Sequence, residues 1–424
     1  MRALHVDPSQ QSRRVSIRLK PFRAWRPDPA IADRVVSPPY DVVTRDEAVA
    51  FADGNPFSFL HIGRSDIDVP AHVDPYDDRV YWKARDNLNA FMTDGTLIRD
   101  REPSLYLYEL TMLGRSQVGV VGCVHVADYA ADVIKKHERT RPDKENDRTR
   151  HVLELNANAE PVFLAYTGQP ILDRLNTAEM RRAPLYEIVT SDGVLHRVWR
   201  VSRAGEYLDV FRRIPEAYVA DGHHRCASAW RAGERRRAAN PAHTGDEEYN
   251  WFLAVLFPAN QLEILPYHRV VRDLGDLTPS TFLKRLADVG RLTGTTTPIP
   301  DQPGSIDVYV AQSWYRLEFD PASIDVADPI KSLDTDLLSE RVLQPVLGID
   351  DIRTDPRVDF VGGIHGAAEL RRRVDEGEAA VAFALHPVRM EQVMLVADGG
   401  GVMPPKSTWF EPKLASGLFV HTLD

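Results

Sequence analysis

The stretch Tyr218-Val219-Ala220-Asp221-Gly222-His223-His224-Arg225 carries a short apolar strand into a helix through an Asp-Gly turn. The helical pattern is Ala-rich and runs to about Ala239. A helix start presents unpaired N–H groups and a partial positive charge, and both favour a bound phosphate. Gly222 permits close backbone approach, and Arg225 and the two histidines can donate to phosphate oxygens. Asp221 could cap the helix, hold a metal ion or orient a histidine.

Strands flank this turn on both sides. Pro161–Tyr166 reads as a buried strand, and Trp251–Phe257 and Leu262–Leu265 as two more. Earlier, Val15, Ile17 and Leu19 alternate with polar residues at strand period. Leu105–Met112 and Val118–Val126 form a strand pair around Gly114-Arg115-Ser116. A helix is expected over 75–96, with Val80, Ala84, Leu88 and Phe91 on one stripe and Asp94-Gly95 as its stop. Beyond 275 the pattern predicts a hairpin (Val308–Ala311, Tyr315–Phe319), helices near 335–345 and 366–376, and a strand at Ala379–Leu385. Strands and helices alternate irregularly, which argues for an α+β (mixed α/β) fold of mixed sheets with flanking helices. Composition suggests regions 1–130, 131–275 and 276–424, the middle one a phosphate-binding core and the last returning its tail to that core.

Two further segments carry candidate chemistry. Lys135-Lys136-His137-Glu138-Arg139-Thr140 is followed by Asp143, Asp147 and Arg148. Across 131–150, seven lysines and arginines face five acids, a local balance of +2. Such runs are usually solvated helix faces, but this one starts directly after an apolar strand. Glu138 among cations suits a general base or a metal ligand. Arg141 stands where HExxH needs its second histidine, so a zinc protease is excluded. At the C-terminal end, Pro404–Lys413 puts Lys406, Ser407, Thr408 and Lys413 among Trp409 and Phe410, so a packed tail could also reach an anion. Ser37-Pro38-Pro39-Tyr40-Asp41 is a turn that could place Asp41 in a cleft.

The composition sets limits. The chain has 424 residues, 43% hydrophobic and 27% charged, which are globular values. Its net charge of −10 argues against nucleic acid as a partner. The longest apolar run, Trp251–Ala259, is about half the ~20 residues a membrane span needs. No secretory leader is visible in the polar first 14 residues, and the two cysteines, about 100 positions apart, fit no CxxC motif. A cytoplasmic protein is expected. Neither a GxxxxGK[ST] loop nor a GxSxG elbow occurs.

Pro21-Phe22-Arg23-Ala24-Trp25, Ser37–Val42, the Lys135–Thr140 run, Ala220–Arg225 and Pro404–Leu414 occur in an order that closely resembles the domain of unknown function 1015 family. The Asp221–Arg225 element is also similar to the signature of free serine kinases of the ParB/sulfiredoxin-like fold. That second resemblance implies a nucleotide-binding core and transfer of phosphate from ATP or ADP to free L-serine. It makes Asp221, Gly222, His223, His224 and Arg225 the phosphate cradle. Lys136, His137, Arg139, Thr140, Arg148, Lys406, Thr408 and Lys413 would be supporting contacts. Glu138 is the expected base, with Asp41 the runner-up and His224 a third catalytic candidate. Mg²⁺, held by Asp221 and Glu138, is implied by the chemistry. The alternatives are a nucleotide-binding switch, as ParB-like folds can bind CTP, and a phosphohydrolase.

Overall fold

A computed structural model describes residues 16–424; the polar segment 1–14 and Val15 lie outside the described residues, and of the strand expected around Val15, Ile17 and Leu19 the structure shows Leu19–Lys20. The chain divides into two compact units. Among the described residues, the first comprises 16–136, 140–261 and 412–424, and the second comprises 137–139 and 262–411.

In the first unit a nine-stranded mixed sheet is the frame. Its order runs Ile134–Lys135, Ala217–Asp221, Val162–Tyr166, Trp251–Pro258, Arg115–His125, Tyr106–Met112, Leu195–Arg200 and Tyr186–Val189. The short strand Leu19–Lys20 pairs with the end of Arg115–His125. Val162–Tyr166 and Trp251–Pro258 are parallel, whereas the pairings of Arg115–His125 with Trp251–Pro258 and with Tyr106–Met112 are antiparallel. The central strands are apolar along their length because both faces are covered: Val162–Tyr166 is buried at all five positions. Its core includes Val120, Leu164, Val219, Ala254 and Leu256, side chains whose burial contributes roughly 1.5–3 kcal/mol each for the larger ones.

This sheet joins residues on both sides of 130, since Val120–His125 pairs with Trp251–Leu256. A boundary placed there from composition therefore runs through one hydrogen-bonded layer. Composition is blind to strand pairing between distant segments.

Local chemistry explains the helices. Asp78–Thr93 starts where the Asp77 carboxylate accepts from Arg79 N at 2.9 Å, and it buries Val80, Ala84, Leu88 and Phe91. Pro142–Leu155 has proline in its first turn and ends at Asn156, in the left-handed region at φ 52°. The helix His223–Ala239 has a weakly amphipathic sequence, but its buried face is made of small residues: Cys226, Ala227, Ala229, Ala232 and Gly233. A Cβ at Gly233 would lie 2.7 Å from the Tyr249 carbonyl oxygen, so glycine permits this close packing. The two helices are tied together by Arg231 to Glu145 at 3.0 Å and to Asn146 at 2.6 Å.

The second unit is built on a six-stranded antiparallel sheet of order Arg291–Gly294, Ser313–Glu318, Ser305–Val310, Val381–Leu385, Tyr267–Val271 and Val358–Gly362. The expected hairpin and the strand near 380 are part of it. The helix expected near 335–345 is Asp334–Leu338 continued through a π-helical turn, Ser339–Leu343, into Gln344–Leu347. The segment 170–211, unassigned from sequence, forms the helices Pro170–Glu179 and Ala204–Phe211 around a hairpin of two short strands, Tyr186–Val189 and Leu195–Arg200. The architecture is α+β with mixed sheets.

Candidate functional site

The strand Ala217–Asp221 delivers Asp221 to the start of the helix His223–Ala239, with Gly222 between them at φ +95°. That conformation costs an L-residue roughly 1–2 kcal/mol. A Cβ at Gly222 would also sit 2.9 Å from Arg225 Nε. Glycine is thus required twice here, by the backbone and by the guanidinium folded against it.

Arg225 organises the site. Its Nη1 donates to the Pro161 carbonyl, its Nη2 lies 3.0 Å from Asp221 Oδ2, and Asp41 Oδ2 is 3.5 Å away. Nε of this buried arginine has no hydrogen-bond partner among the described residues. Lys413 Nζ approaches the other oxygen of Asp221 at 3.9 Å. Burial would raise the Asp221 carboxyl, but Lys413 and Arg225 outweigh it and hold the group down to about 2. Burial pulls the Arg225 guanidinium down while Asp41 and Asp221 more than compensate, so it remains charged.

His224 is in its neutral form. Burial lowers its pKa, and its Nε2 accepts the Arg141 backbone N–H at 3.1 Å. The proton therefore sits on Nδ1, where the imidazole can act as a donor. His223 is buried.

Beside the turn, Tyr40, Arg148, His151, Asn158, Glu160, Arg225 and Ser228 line a cavity of about 420 Å³, counting its open mouth. The enclosed part is small, about 30 Å³, room for about one water molecule. Arg148 stacks over the Tyr40 ring at 4.3 Å and pairs with Asp147 at 2.8 Å, and Tyr81 donates to Asp147 at 2.6 Å. His151 donates from Nε2 to the Ile62 carbonyl at 3.1 Å, and burial holds its pKa down to about 3.

Glu160 is the residue that sequence reasoning missed. Its Oε1 accepts from Ser416 Oγ at 3.0 Å, and a Cβ at Gly63 would come within 2.9 Å of the same oxygen. Burial pushes this carboxyl up to about 7; Arg225 and Arg148 pull it down, and Asp41 adds to the rise. The available signal was a carboxylate next to proline immediately before a fully apolar strand.

Asp41, Arg148, Asp221–Arg225 and Lys413 are brought together in the first unit. Lys136 and Thr140 also belong to that unit, where Lys136 pairs with Asp132 at 3.1 Å and Thr140 donates to Glu145. His137, Glu138, Arg139, Lys406 and Thr408 belong to the second unit. Among the described residues, no three His, Cys, Asp or Glu side chains gather as a metal cluster. Asp221 is an ionised carboxylate already engaged by two cations.

An α+β chain with a left-handed Asp-Gly turn at a helix start and a charged cavity beside it defines a class, and a family match narrows it. Residues 19–336 match the model described as protein of unknown function (DUF1015), and the chain belongs to that family. The Pro404–Lys413 segment lies beyond the matched residues. No curated protein matches the chain. Among solved structures, a mutant free serine kinase in complex with AMP is similar at 12% identity, covering 70% of this chain and 91% of that one, with a TM-score of 0.35. A conserved hypothetical protein from Pyrococcus furiosus is similar at 13% identity, with 70% and 94% covered and a TM-score of 0.35. SbnI from Staphylococcus aureus, truncated at its C-terminus, is similar at 13%, with 71% and 87% covered and a TM-score of 0.37. Likeness this distant leaves the reading of the site to the chain's own residues. Among the described residues, no helix is long and apolar enough to cross a membrane.

Proposed function

We propose that this protein is a small-molecule kinase that moves a phosphoryl group from ATP or ADP to the hydroxyl of a free hydroxy amino acid, L-serine being the favoured acceptor. The observation that carries this reading is the fixed Arg225 guanidinium at the helix start, held between Asp41, Asp221 and the Pro161 carbonyl behind the left-handed Gly222. Phosphoryl transfer needs positioning and charge neutralisation more than covalent chemistry, and this turn offers both. Asp221, Gly222, His223, His224 and Arg225 form the cradle, with His224 donating from Nδ1. Lys136, His137, Arg139, Thr140, Arg148, Lys406, Thr408 and Lys413 are the supporting contacts assigned from sequence.

In the reaction, the serine Oγ–P bond forms as the bond from phosphorus to the leaving nucleotide oxygen breaks. The hydroxyl proton passes to a carboxylate. Glu138 is the residue assigned that role, with Asp41 the alternative. When bound, Mg²⁺ would neutralise phosphate charge, with Asp221 and Glu138 as its protein ligands. The setting proposed is the cytoplasm, with no nucleic acid or membrane partner.

Purified protein incubated with ATP or ADP, Mg²⁺ and L-serine should yield O-phosphoserine, read by mass spectrometry. Nucleotide binding without transfer to any hydroxy amino acid would replace the kinase with a nucleotide-dependent switch. Phosphate release that ignores the amino acid would make it a phosphohydrolase.

A further inference from the structure

The second unit contains a charge without a counter-charge. Arg269 is fully buried in the strand Tyr267–Val271, where its register partners on the two neighbouring strands are Phe360 and Phe383. Its guanidinium lies 5.3 Å from the Phe360 ring centre. Nη1 donates to the Tyr267 carbonyl, Nη2 donates to the Pro405 carbonyl at 3.1 Å, and Nε has no partner among the described residues. Among the described residues it pairs with no carboxylate, and burial lowers its pKa to about 9 with only Tyr267 opposing. A buried charge is ordinarily paired, because desolvation costs several kcal/mol or more.

The next residue along from Pro405 is a second cation. Lys406 adopts the left-handed region at φ 55°, unusual for a side chain of its size, and is exposed. Its Nζ lies 5.3 Å from the ring centre of Tyr267, the residue whose carbonyl Arg269 engages. Among the described residues no carboxylate pairs with Lys406 either. Ser407, buried, closes the loop by donating to the Pro404 carbonyl at 2.7 Å. Arg269 and Lys406 thus meet at one loop, and among the described residues neither forms an ion pair.

We infer that the loop Pro404–Thr408 binds a phosphate-type oxyanion within the second unit, with Lys406 as the direct contact and Arg269 as the buried charge that positions the loop and supplies the field. This deepens the assignment of Lys406 and Thr408 as phosphate contacts but stands without the kinase activity. The anion is either free phosphate or the phosphate of a nucleotide.

The test is calorimetric titration of the full chain with sodium phosphate, against sodium chloride at matched ionic strength. Wild type should bind phosphate over chloride. Lys406→Ala should weaken phosphate binding at least tenfold, and Arg269→Met should do the same with an unchanged circular dichroism spectrum. Arg269→Lys should restore much of the affinity, which a purely structural arginine would not require. If Arg269→Met does not fold, Lys406→Ala carries the test. Competition by AMP identifies nucleotide phosphate as the source, and its absence identifies free phosphate; either outcome supports the site. No preference for phosphate over chloride overturns it. So does phosphate binding that survives Lys406→Ala but disappears in His224→Ala, which would locate the anion at the Asp221–Arg225 turn. Phosphate binding lost only in Lys406→Ala, in a protein that makes no phosphoserine, would leave this site standing and remove the kinase.

Discussion

Glu160→Gln should make the protein more stable at pH 8 and leave it nearly unchanged at pH 4. The carboxyl stands at about 7 in the folded chain against 4.5 for the free group. Below 4.5 the folded and unfolded chains both carry the proton, so its contribution is fully present. As pH rises from 4.5 to 7 the unfolded chain ionises first, and stability is lost through that window. At about 1.36 kcal/mol for each unit, the loss comes to about 3 kcal/mol above pH 7. Glutamine mimics the protonated form and can still accept the Ser416 hydroxyl. Variant minus wild type should therefore rise from near zero at pH 4 to about 2–3 kcal/mol at pH 8, allowing for partial exposure of the group. Urea melts at several pH values would measure it by tryptophan fluorescence, because five of the seven tryptophans (Trp25, Trp82, Trp199, Trp230, Trp251) lie in the first unit. A difference that is flat between pH 4 and 8, or that falls with pH, would refute the reasoning and show a Glu160 ionised throughout.

Two further outcomes probe the turn. Gly222→Ala should cost about 1–2 kcal/mol from the left-handed backbone alone. Because its Cβ also displaces Arg225, nucleotide affinity should fall further than stability does, as read by titration beside a melt. His224→Ala should weaken nucleotide binding about tenfold, the order of one charge-assisted hydrogen bond. Glu138→Gln should leave binding intact and abolish phosphoserine formation. Equal nucleotide affinity in the His224 variant would remove the cradle, and full turnover in the Glu138 variant would remove that base.

Much of the local structure was legible because the pattern is local. The stripe Val80, Ala84, Leu88, Phe91 and the stop at Asp94-Gly95 specify the helix Asp78–Thr93 within a few residues. The strand–turn–helix at Asp221-Gly222 is equally legible, since only glycine suits the turn and the apolar run before it has strand length. The hairpin Tyr186–Val189 with Leu195–Arg200 was not legible. Its strands are short, and their polar positions resemble a loop until the pairing with Tyr106–Met112 is known. Glu160 was hidden for a different reason. Nothing near it in the chain announces chemistry, and its unusual proton affinity comes from Arg225, Asp41 and Arg148, all distant in sequence.

By itself, then, the sequence determined the family and the α+β class. It also determined the strand–turn–helix at Asp221-Gly222, because propensity, period and glycine placement act over a few residues. Only the tertiary structure decided which charges face one another. It put Arg225 against Asp41, stacked Arg148 on Tyr40, and left Arg269 buried with no acid paired to it among the described residues. Electrostatic energy depends on distance through space and on exclusion of water, and sequence separation records neither. The net charge of −10 is a property of the whole chain, whereas the cation-rich turn and loop are products of folding.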